Sequence, residues 1–194
     1  MTQAALDIAQ EYHLSRDDLK EVAIYTHGGP DGENLTGGPF KMGDNPQVDA
    51  QFCTAYGVAV GLLRGKAGLA EFTNERVCED TEVATLAEQV KILTEISDPP
   101  QVKRIEDDFP EHVDKPHVLI VKTRDGRELR KIYTIRYILS PQRMSMADTV
   151  EKFHECTRFS GICPDDRAED IITAVKALEQ FQQVSEFSAL CTLK

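Results

Sequence analysis

Residues 45–65 of the chain, NPQVDAQFCTAYGVAVGLLRG, carry helix signals at both ends. Asn45 belongs to the residue types that cap helix N-termini, and Pro46 suits the first helical position because its missing N–H would be unpaired there anyway. Gly65 can end the helix in a left-handed conformation. The pattern predicts a helix over the whole stretch.

Small residues recur at every fourth position of this predicted helix, at Cys53, Gly57, Gly61 and Gly65. Glycine inside a helix costs about 1 kcal/mol relative to alanine, so we expect another element to pack very close to this stripe. A second stripe at helical spacing is apolar and consists of Phe52, Tyr56, Val60 and Leu63. Its one hydroxyl, on Tyr56, has two interpretations: a core tyrosine with a hydrogen-bonded hydroxyl, or a proton donor or substrate anchor that faces a cleft.

The composition is that of a soluble globular protein, with 194 residues of which 41% are hydrophobic and 28% charged. There is no apolar run of 18 residues and no basic-then-apolar leader, so we expect a cytoplasmic protein without membrane contact. The formal charge of −11 repels phosphate, and Lys and Arg are dispersed, so we expect no nucleic-acid partner. An anionic substrate would need positive charge that is concentrated locally or borrowed from another chain.

The five cysteines are scattered and lack the spacing of a tetrahedral metal site. We expect buried free thiols, no metal and no cofactor. The chain also lacks a nucleophile elbow, a phosphate-binding loop and a dinucleotide fingerprint. No self-sufficient catalytic constellation is present in the sequence.

The remaining patterns predict an α+β fold, a small four-stranded sheet with helices packed on one face, followed by C-terminal helices. An amphipathic helix around Ala5–Ala9 precedes a strand centred on Val22 and Ile24, and a second strand is predicted over Val90–Ile96. Two β-branched runs on either side of Asp125-Gly126 predict a hairpin with a primed turn. The glycine-rich stretch 28–44 and the proline-rich stretch 98–115 are predicted to be loops.

The last third of the sequence predicts helices only. A capping box of Ser145 and Asp148 begins one helix, and Pro164-Asp165-Asp166 begins another. The second helix is predicted to carry Ile171, Ile172, Val175, Leu178 and Phe181 on one face, and a final short helix carries Val184, Phe187 and Leu190. The sheet face is already used by other helices, so we expect these helices to pack on something outside the chain. We expect domains at 1–140 and 141–194.

The stretch 45–77 resembles a stretch of the MmgE/PrpD family, which includes 2-methylcitrate dehydratase, cis-aconitate decarboxylase and iminodisuccinate epimerase. That family has a proline, then an Ala-x-Phe-Ser-x-x-Tyr helix, then a glycine turn and a short helix with Phe-Thr. The matching residues are Ala50, Phe52, Tyr56, Gly65 and Phe72-Thr73, and Cys53 stands in the serine position. The resemblance continues through TEVATLAEQVKIL, FPEHVDKPHVLIVKTRDGRELRK, SMADTVEKFHECT and VKALEQFQQVSEFSAL. It covers nearly the whole chain.

The resemblance implies that the enzyme of this family is divided into two domains and that this sequence covers only part of it. Members have a large helical domain and a smaller α/β domain, after which the chain returns to the helical domain for its last helices. This sequence resembles the smaller domain and the returning helices only. The family tyrosine at the Tyr56 position lies at the active site between the domains, which implies a catalytic role for Tyr56. Most of the family's catalytic Asp, His and Lys residues belong to the helical domain, and its Lys-Pro-Tyr-Pro segment is not in this sequence.

Two hypotheses of different classes follow. The first is a subunit of a dehydratase-like lyase or isomerase that acts on a small di- or tricarboxylate and is inactive without a helical-domain partner subunit. In it Tyr56 is the acid or anchor, and Lys41, in the loop before the helix, binds substrate; a solvated loop lysine is the alternative for Lys41. The second is a non-catalytic interaction domain that forms a homodimer or larger oligomer. A split enzyme, a truncated gene product and a stand-alone domain all remain open.

Overall fold

The computed structural model describes residues 1–26, 38–100, 103–104, 113–114, 117–133 and 145–192. The chain divides into two compact units, Met1–Ser140 (unit 1) and Pro141–Lys194 (unit 2). Most of the predicted loop at 28–44 and the continuation of the second hairpin strand beyond Tyr133 lie outside the described residues. No described helix is long and apolar enough to cross a membrane.

Unit 1 alternates helices and strands. Its helices are α1 (Thr2–Tyr12), α2 (Pro46–Gln51), α3 (Thr54–Arg64), α4 (Asn74–Glu79) and α5 (Thr81–Gln89). Its strands are β1 (Leu19–Thr26), β2 (Lys91–Leu93), β3 (Lys103–Arg104), β4 (Val113–Asp114), β5 (His117–Thr123) and β6 (Glu128–Tyr133). Short 3₁₀ turns at Arg16–Asp18 and Leu69–Phe72 join neighbouring elements.

Four of these strands form one mixed sheet in the order β2-β1-β5-β6, which confirms the predicted α+β fold. Strand β1 runs parallel to β2 and antiparallel to β5, and β5 and β6 are antiparallel. The prediction of a loop over 98–115 was wrong in part, because β3 and β4 pair as an antiparallel two-residue ladder. Strands of two residues are too short to show an alternating pattern in the sequence.

The two faces of the sheet bury different sets of side chains, because successive residues of a strand point to opposite faces. Val22 and Ile24 of β1, with Leu119 and Val121 of β5, share the main core with α1, α3 and α5. Ala23, Tyr25, Val118 and Ile120 form a smaller cluster with Leu93 and Ile96. The main core therefore lies between the sheet and the helices that carry the candidate site.

The stretch 45–65 forms two helices, so the prediction of one continuous helix was wrong. Cys53 has an extended backbone with φ −111° and ψ 111°, which interrupts the helical hydrogen bonds between α2 and α3. The predicted ends are confirmed: the Asn45 side chain accepts a hydrogen bond from the Val48 N–H, and Gly65 is left-handed with φ 63°. The break separates two residues of the predicted apolar stripe, because Phe52 is 62% exposed and Tyr56 only 1%.

The glycine stripe of α3 packs against α1, which confirms the expected close approach. A Cβ atom added at Gly61 would lie 2.9 Å from Ala5 Cβ and 3.2 Å from the Thr2 carbonyl oxygen. A Cβ atom added at Gly57 would overlap Thr2 Oγ1. The absence of side chains at these two positions therefore lets the two helices approach closely.

The hairpin of β5 and β6 is confirmed, but its turn is not of the primed type. A primed type I′ turn needs positive φ at both central residues, whereas Gly126 has φ 93° and Asp125 is not among the positive-φ residues of the described chain. The Thr123 N–H donates to the Arg127 carbonyl over 2.9 Å, and the Gly126 N–H donates to the Thr123 carbonyl over 3.2 Å. These hydrogen bonds define a three-residue loop, residues 124–126, with Gly126 at the left-handed position.

The described part of unit 2 is helical, with α6 (Met146–Ser160), α7 (Asp165–Lys176), a 3₁₀ turn (Leu178–Gln180) and α8 (Val184–Cys191). The capping box is confirmed, since the Ser145 N–H donates to Asp148 Oδ2 over 2.7 Å and the Asp148 N–H donates to Ser145 Oγ over 3.2 Å. The prediction of one apolar face from Ile171 to Phe181 was wrong, because α7 ends at Lys176.

Candidate functional site

Tyr56 lies on the first turn of α3 inside an aromatic cluster. Its ring centroid is 4.9 Å from that of Phe40 and 5.6 Å from that of Phe72, both in tilted geometry. Phe40 comes from the segment before α2, where its N–H donates to the Ala87 carbonyl over 3.2 Å. Phe72 ends the 3₁₀ turn that follows α3. Segments far apart in the sequence therefore hold the tyrosine ring.

The Tyr56 hydroxyl is kept protonated by its surroundings. Burial is the main cause that raises its pKa to about 12, the Asp80 carboxylate adds to the shift, and the Arg76 and Arg64 guanidinium groups oppose it. Across the ranges that the structure describes, the hydroxyl has no hydrogen-bond partner. At neutral pH Tyr56 can donate a proton but cannot serve as a base. The sequence interpretation of a core tyrosine is confirmed for burial, whereas its expected hydrogen bond is not observed among these residues.

Cys53, which stands in the serine position of the resemblance, lies at the break between α2 and α3. Its Sγ atom is 4.0 Å from the Gly38 carbonyl oxygen. Burial raises the pKa of the thiol, and backbone N–H groups of Tyr56 and Ala55 oppose the shift. The prediction that all cysteines are buried was wrong, because Cys78 and Cys191 are exposed. Cys53 therefore packs as a neutral, half-buried side chain.

A cavity of about 330 Å³ opens at the α2–α3 break. Its lining includes Thr2, Phe52, Cys53, Thr54 and Phe72. Phe72 connects the cavity with the aromatic cluster, since its ring also contacts Tyr56. The volume lies at the lower end of the range for small-molecule sites. This α2–α3 cavity therefore shares the Phe72 side chain with the aromatic cluster around Tyr56.

Lys41, the second predicted site residue, is exposed. It directly follows Phe40, whose ring packs on Tyr56, so the backbone places the lysine beside the aromatic cluster. Within the described part of the chain its side chain forms no ion pair. Its role in substrate binding stays a prediction.

Sequence reasoning missed a buried carboxylate behind the cluster. Arg64 Nε donates to Asp80 Oδ2 over 2.8 Å, and a guanidinium nitrogen of Arg76 lies 3.1 Å from the same oxygen. The Asp80 side chain also caps α5 by accepting a hydrogen bond from the Val83 N–H, and Arg64 is the main cause that lowers its pKa. The spacing of Arg76 and Asp80, together with Asp80 before an apolar pattern, was a usable sequence signal.

The described residues contain no group of three or more His, Cys, Asp and Glu side chains that could hold a metal ion. The groups that the described part of this region offers are a protonated phenol, a lysine ammonium group and a partly apolar cavity. Such groups can orient a small anion and donate a proton to it.

The fold and this region define an α+β domain with a buried tyrosine beside a small cavity. The sequence model of the MmgE/PrpD C-terminal domain matches residues 1–180. The chain belongs to the MmgE/PrpD family and corresponds to its C-terminal domain, as the resemblance predicted. No curated protein matched the chain.

Proposed function

We propose that this chain is the C-terminal part of an MmgE/PrpD-type lyase or isomerase that acts on a small di- or tricarboxylate by dehydratase-like chemistry. It is incomplete without a helical domain supplied by a partner. The observation that carries the proposal is Tyr56, a buried and protonated tyrosine beside a small cavity in a chain of this family.

Dehydration of a hydroxy acid removes a proton next to a carboxylate and expels hydroxide, which leaves more easily as water. The raised pKa keeps Tyr56 protonated at neutral pH, so its role is to hold a substrate oxygen by a hydrogen bond or to protonate the leaving hydroxyl. The ammonium group of Lys41 supplies positive charge for a substrate carboxylate. The base comes from the helical domain in this proposal.

The helical domain would cover the α2–α3 cavity. Phe52 is 62% exposed at the cavity, and Met42 and Val48 close by in sequence are 44% and 43% exposed. Large apolar side chains that are exposed together mark contact surfaces. Contact there would exclude water from the cavity and strengthen the electrostatic effect of Lys41.

The proposal is tested with 2-methylcitrate and cis-aconitate, assayed by the change in ultraviolet absorbance of the double bond. We expect no turnover by the chain alone and measurable turnover after addition of a separately expressed MmgE/PrpD helical domain. Tyr56→Phe should abolish that turnover, whereas Tyr133→Phe, a substitution at another buried tyrosine, should retain it. Turnover by the chain alone would contradict the claim that the site is incomplete.

A second candidate function is that of a non-catalytic interaction domain. The observation in its favour is that Tyr56 is 1% exposed and packs as a core residue. In that case Tyr56→Phe would leave every activity of the reconstituted protein unchanged, and the chain would form a stable oligomer by itself.

A further inference from the structure

The Asp80 carboxylate joins three helices of unit 1. Its side chain is only 4% exposed. Arg64, the last residue of α3, donates to both carboxylate oxygens, and Arg76 of α4 lies 3.1 Å from one of them. The Val83 N–H in the first turn of α5 donates to the other oxygen over 3.3 Å. One buried carboxylate therefore ties α3, α4 and α5 together.

The same three helices hold the ring of Tyr56. The tyrosine itself belongs to α3. Phe72, which packs on the ring, directly precedes Thr73, the N-cap of α4. Phe40, which packs on the ring as well, donates its N–H to the Ala87 carbonyl of α5. A movement of any of these helices would displace the tyrosine ring or one of its two aromatic neighbours.

The network contributes less to stability than its number of contacts suggests. An ion pair with a buried carboxylate adds little net stability, because removing the charges from water offsets most of their attraction. Geometry is the stronger reason for the arrangement, since three helix ends are fixed at one point. The carboxylate is also close enough to Tyr56 for its charge to raise the pKa of the hydroxyl, after burial as the main cause.

We propose that Asp80 is a positioning residue for the reaction at Tyr56: together with Arg64 and Arg76, its carboxylate holds α3, α4 and α5 so that the Tyr56 hydroxyl keeps one position relative to a bound substrate. The inference rests on the proposed function. Asp80 acts through the helices and does not touch the substrate. A misplacement of about 1 Å that originates far from the reacting atoms can cost a rate about 100-fold, so the effect is measurable.

The first test needs no turnover and uses NMR of the full chain with ¹³C-labelled tyrosine rings. Tyr56→Phe identifies the Tyr56 signal. In the unmodified chain about a tenth of Tyr56 should be ionised at pH 11, because its pKa is about 12. Asp80→Asn removes a negative charge and leaves the guanidinium groups, so the ionised fraction should rise to about half. An unchanged fraction would overturn the proposal.

Two variants separate this effect from a general loosening of the fold, which would expose the hydroxyl and raise its ionised fraction. Arg76→Gln removes a positive charge at a side chain that is 43% exposed, so the ionised fraction of Tyr56 should fall; this variant also serves if Asp80→Asn does not fold. Tyr133→Phe breaks a contact elsewhere in unit 1 and should leave the fraction at about a tenth. A rise in either variant as large as in Asp80→Asn would overturn the proposal.

The second test uses turnover by the chain reconstituted with a helical domain. At neutral pH Tyr56 is protonated in every variant, so only its position can differ. Asp80→Asn should lower kcat at least about tenfold and change KM less than about twofold, whereas Tyr133→Phe should retain kcat. An unchanged kcat for Asp80→Asn would overturn the proposal. If the unmodified chain shows no turnover with any helical domain, the proposed function fails, and the NMR experiment alone decides whether Asp80 acts on Tyr56.

Discussion

At the scale of single residues, the hydroxyl of Tyr56 can be tested separately from its ring. Tyr56→Phe keeps the contacts with Phe40 and Phe72 and removes a hydroxyl without a hydrogen-bond partner in the described ranges. We expect the free energy of unfolding at pH 7 to change by less than about 1 kcal/mol. Chemical denaturation of both proteins measures this change in the free energy of unfolding.

The matched control for this prediction is Tyr133→Phe. The Tyr133 hydroxyl donates a hydrogen bond to the Asp7 carboxylate, and its loss should cost about 1.5–3 kcal/mol. If Tyr56→Phe destabilises the protein as much as Tyr133→Phe, the Tyr56 hydroxyl has a hydrogen-bond partner after all.

The raised pKa of Tyr56 also makes a prediction for alkaline pH. The pKa rises from 10.0 to about 12 in the folded protein, so between these values the folded state keeps a proton that the unfolded state loses. The contribution of the Tyr56 hydroxyl to the free energy of unfolding is therefore fully present below pH 10 and is lost as the pH rises towards 12. Between pH 7 and pH 11 the free energy of unfolding of the unmodified chain should fall more than that of Tyr56→Phe. If the difference between the two proteins stays the same over this range, the pKa of Tyr56 is not raised.

At the scale of elements, the contact between α1 and α3 depends on the two glycines that face α1. Gly61→Ala should destabilise by about 1–3 kcal/mol although alanine favours helix, because the added methyl group meets Ala5 Cβ and the Thr2 backbone. Gly57→Ala should cost less, because its contact is the end of the Thr2 side chain, which can rotate. Thermal melting compares the two variants.

A larger side chain gives the stricter test of the same contact. Gly57→Leu has no room beside Thr2 and should lower the melting temperature clearly further than Gly57→Ala. An unchanged melting temperature for Gly57→Leu would mean that α1 does not pack on this stripe.

At the scale of the whole molecule, the two units should differ in their ability to fold alone. A fragment of residues 1–140 contains the sheet and the main core and should melt cooperatively. A fragment of residues 141–194 should be partly helical and melt without a cooperative transition, since few of its described side chains are buried. Circular dichroism measures the melting of both fragments. A cooperative melt of 141–194 would contradict the expectation that its helices pack on something outside the chain.

Local chemistry made several parts of this protein predictable from the sequence. The Asn45 cap, the left-handed Gly65 and the capping box of Ser145 each depend on neighbours within a few residues. Val22 and Ile24 predicted strand β1, the β-branched run before Asp125-Gly126 predicted strand β5, and the cost of helical glycine predicted a close contact at Gly61. The family was recognisable because Ala50, Phe52, Tyr56, Gly65 and Phe72-Thr73 match its motif in the same order.

The features that the tertiary structure decided depend on contacts between distant residues. The break at Cys53 was invisible because both halves of the stretch satisfy helical patterns, and packing determines that Phe52 faces outward while Tyr56 is buried. The elevated pKa of Tyr56 results from burial and from Asp80, 24 positions away in the sequence. Periodicity describes one element at a time, whereas burial and electrostatic fields are set by all elements together.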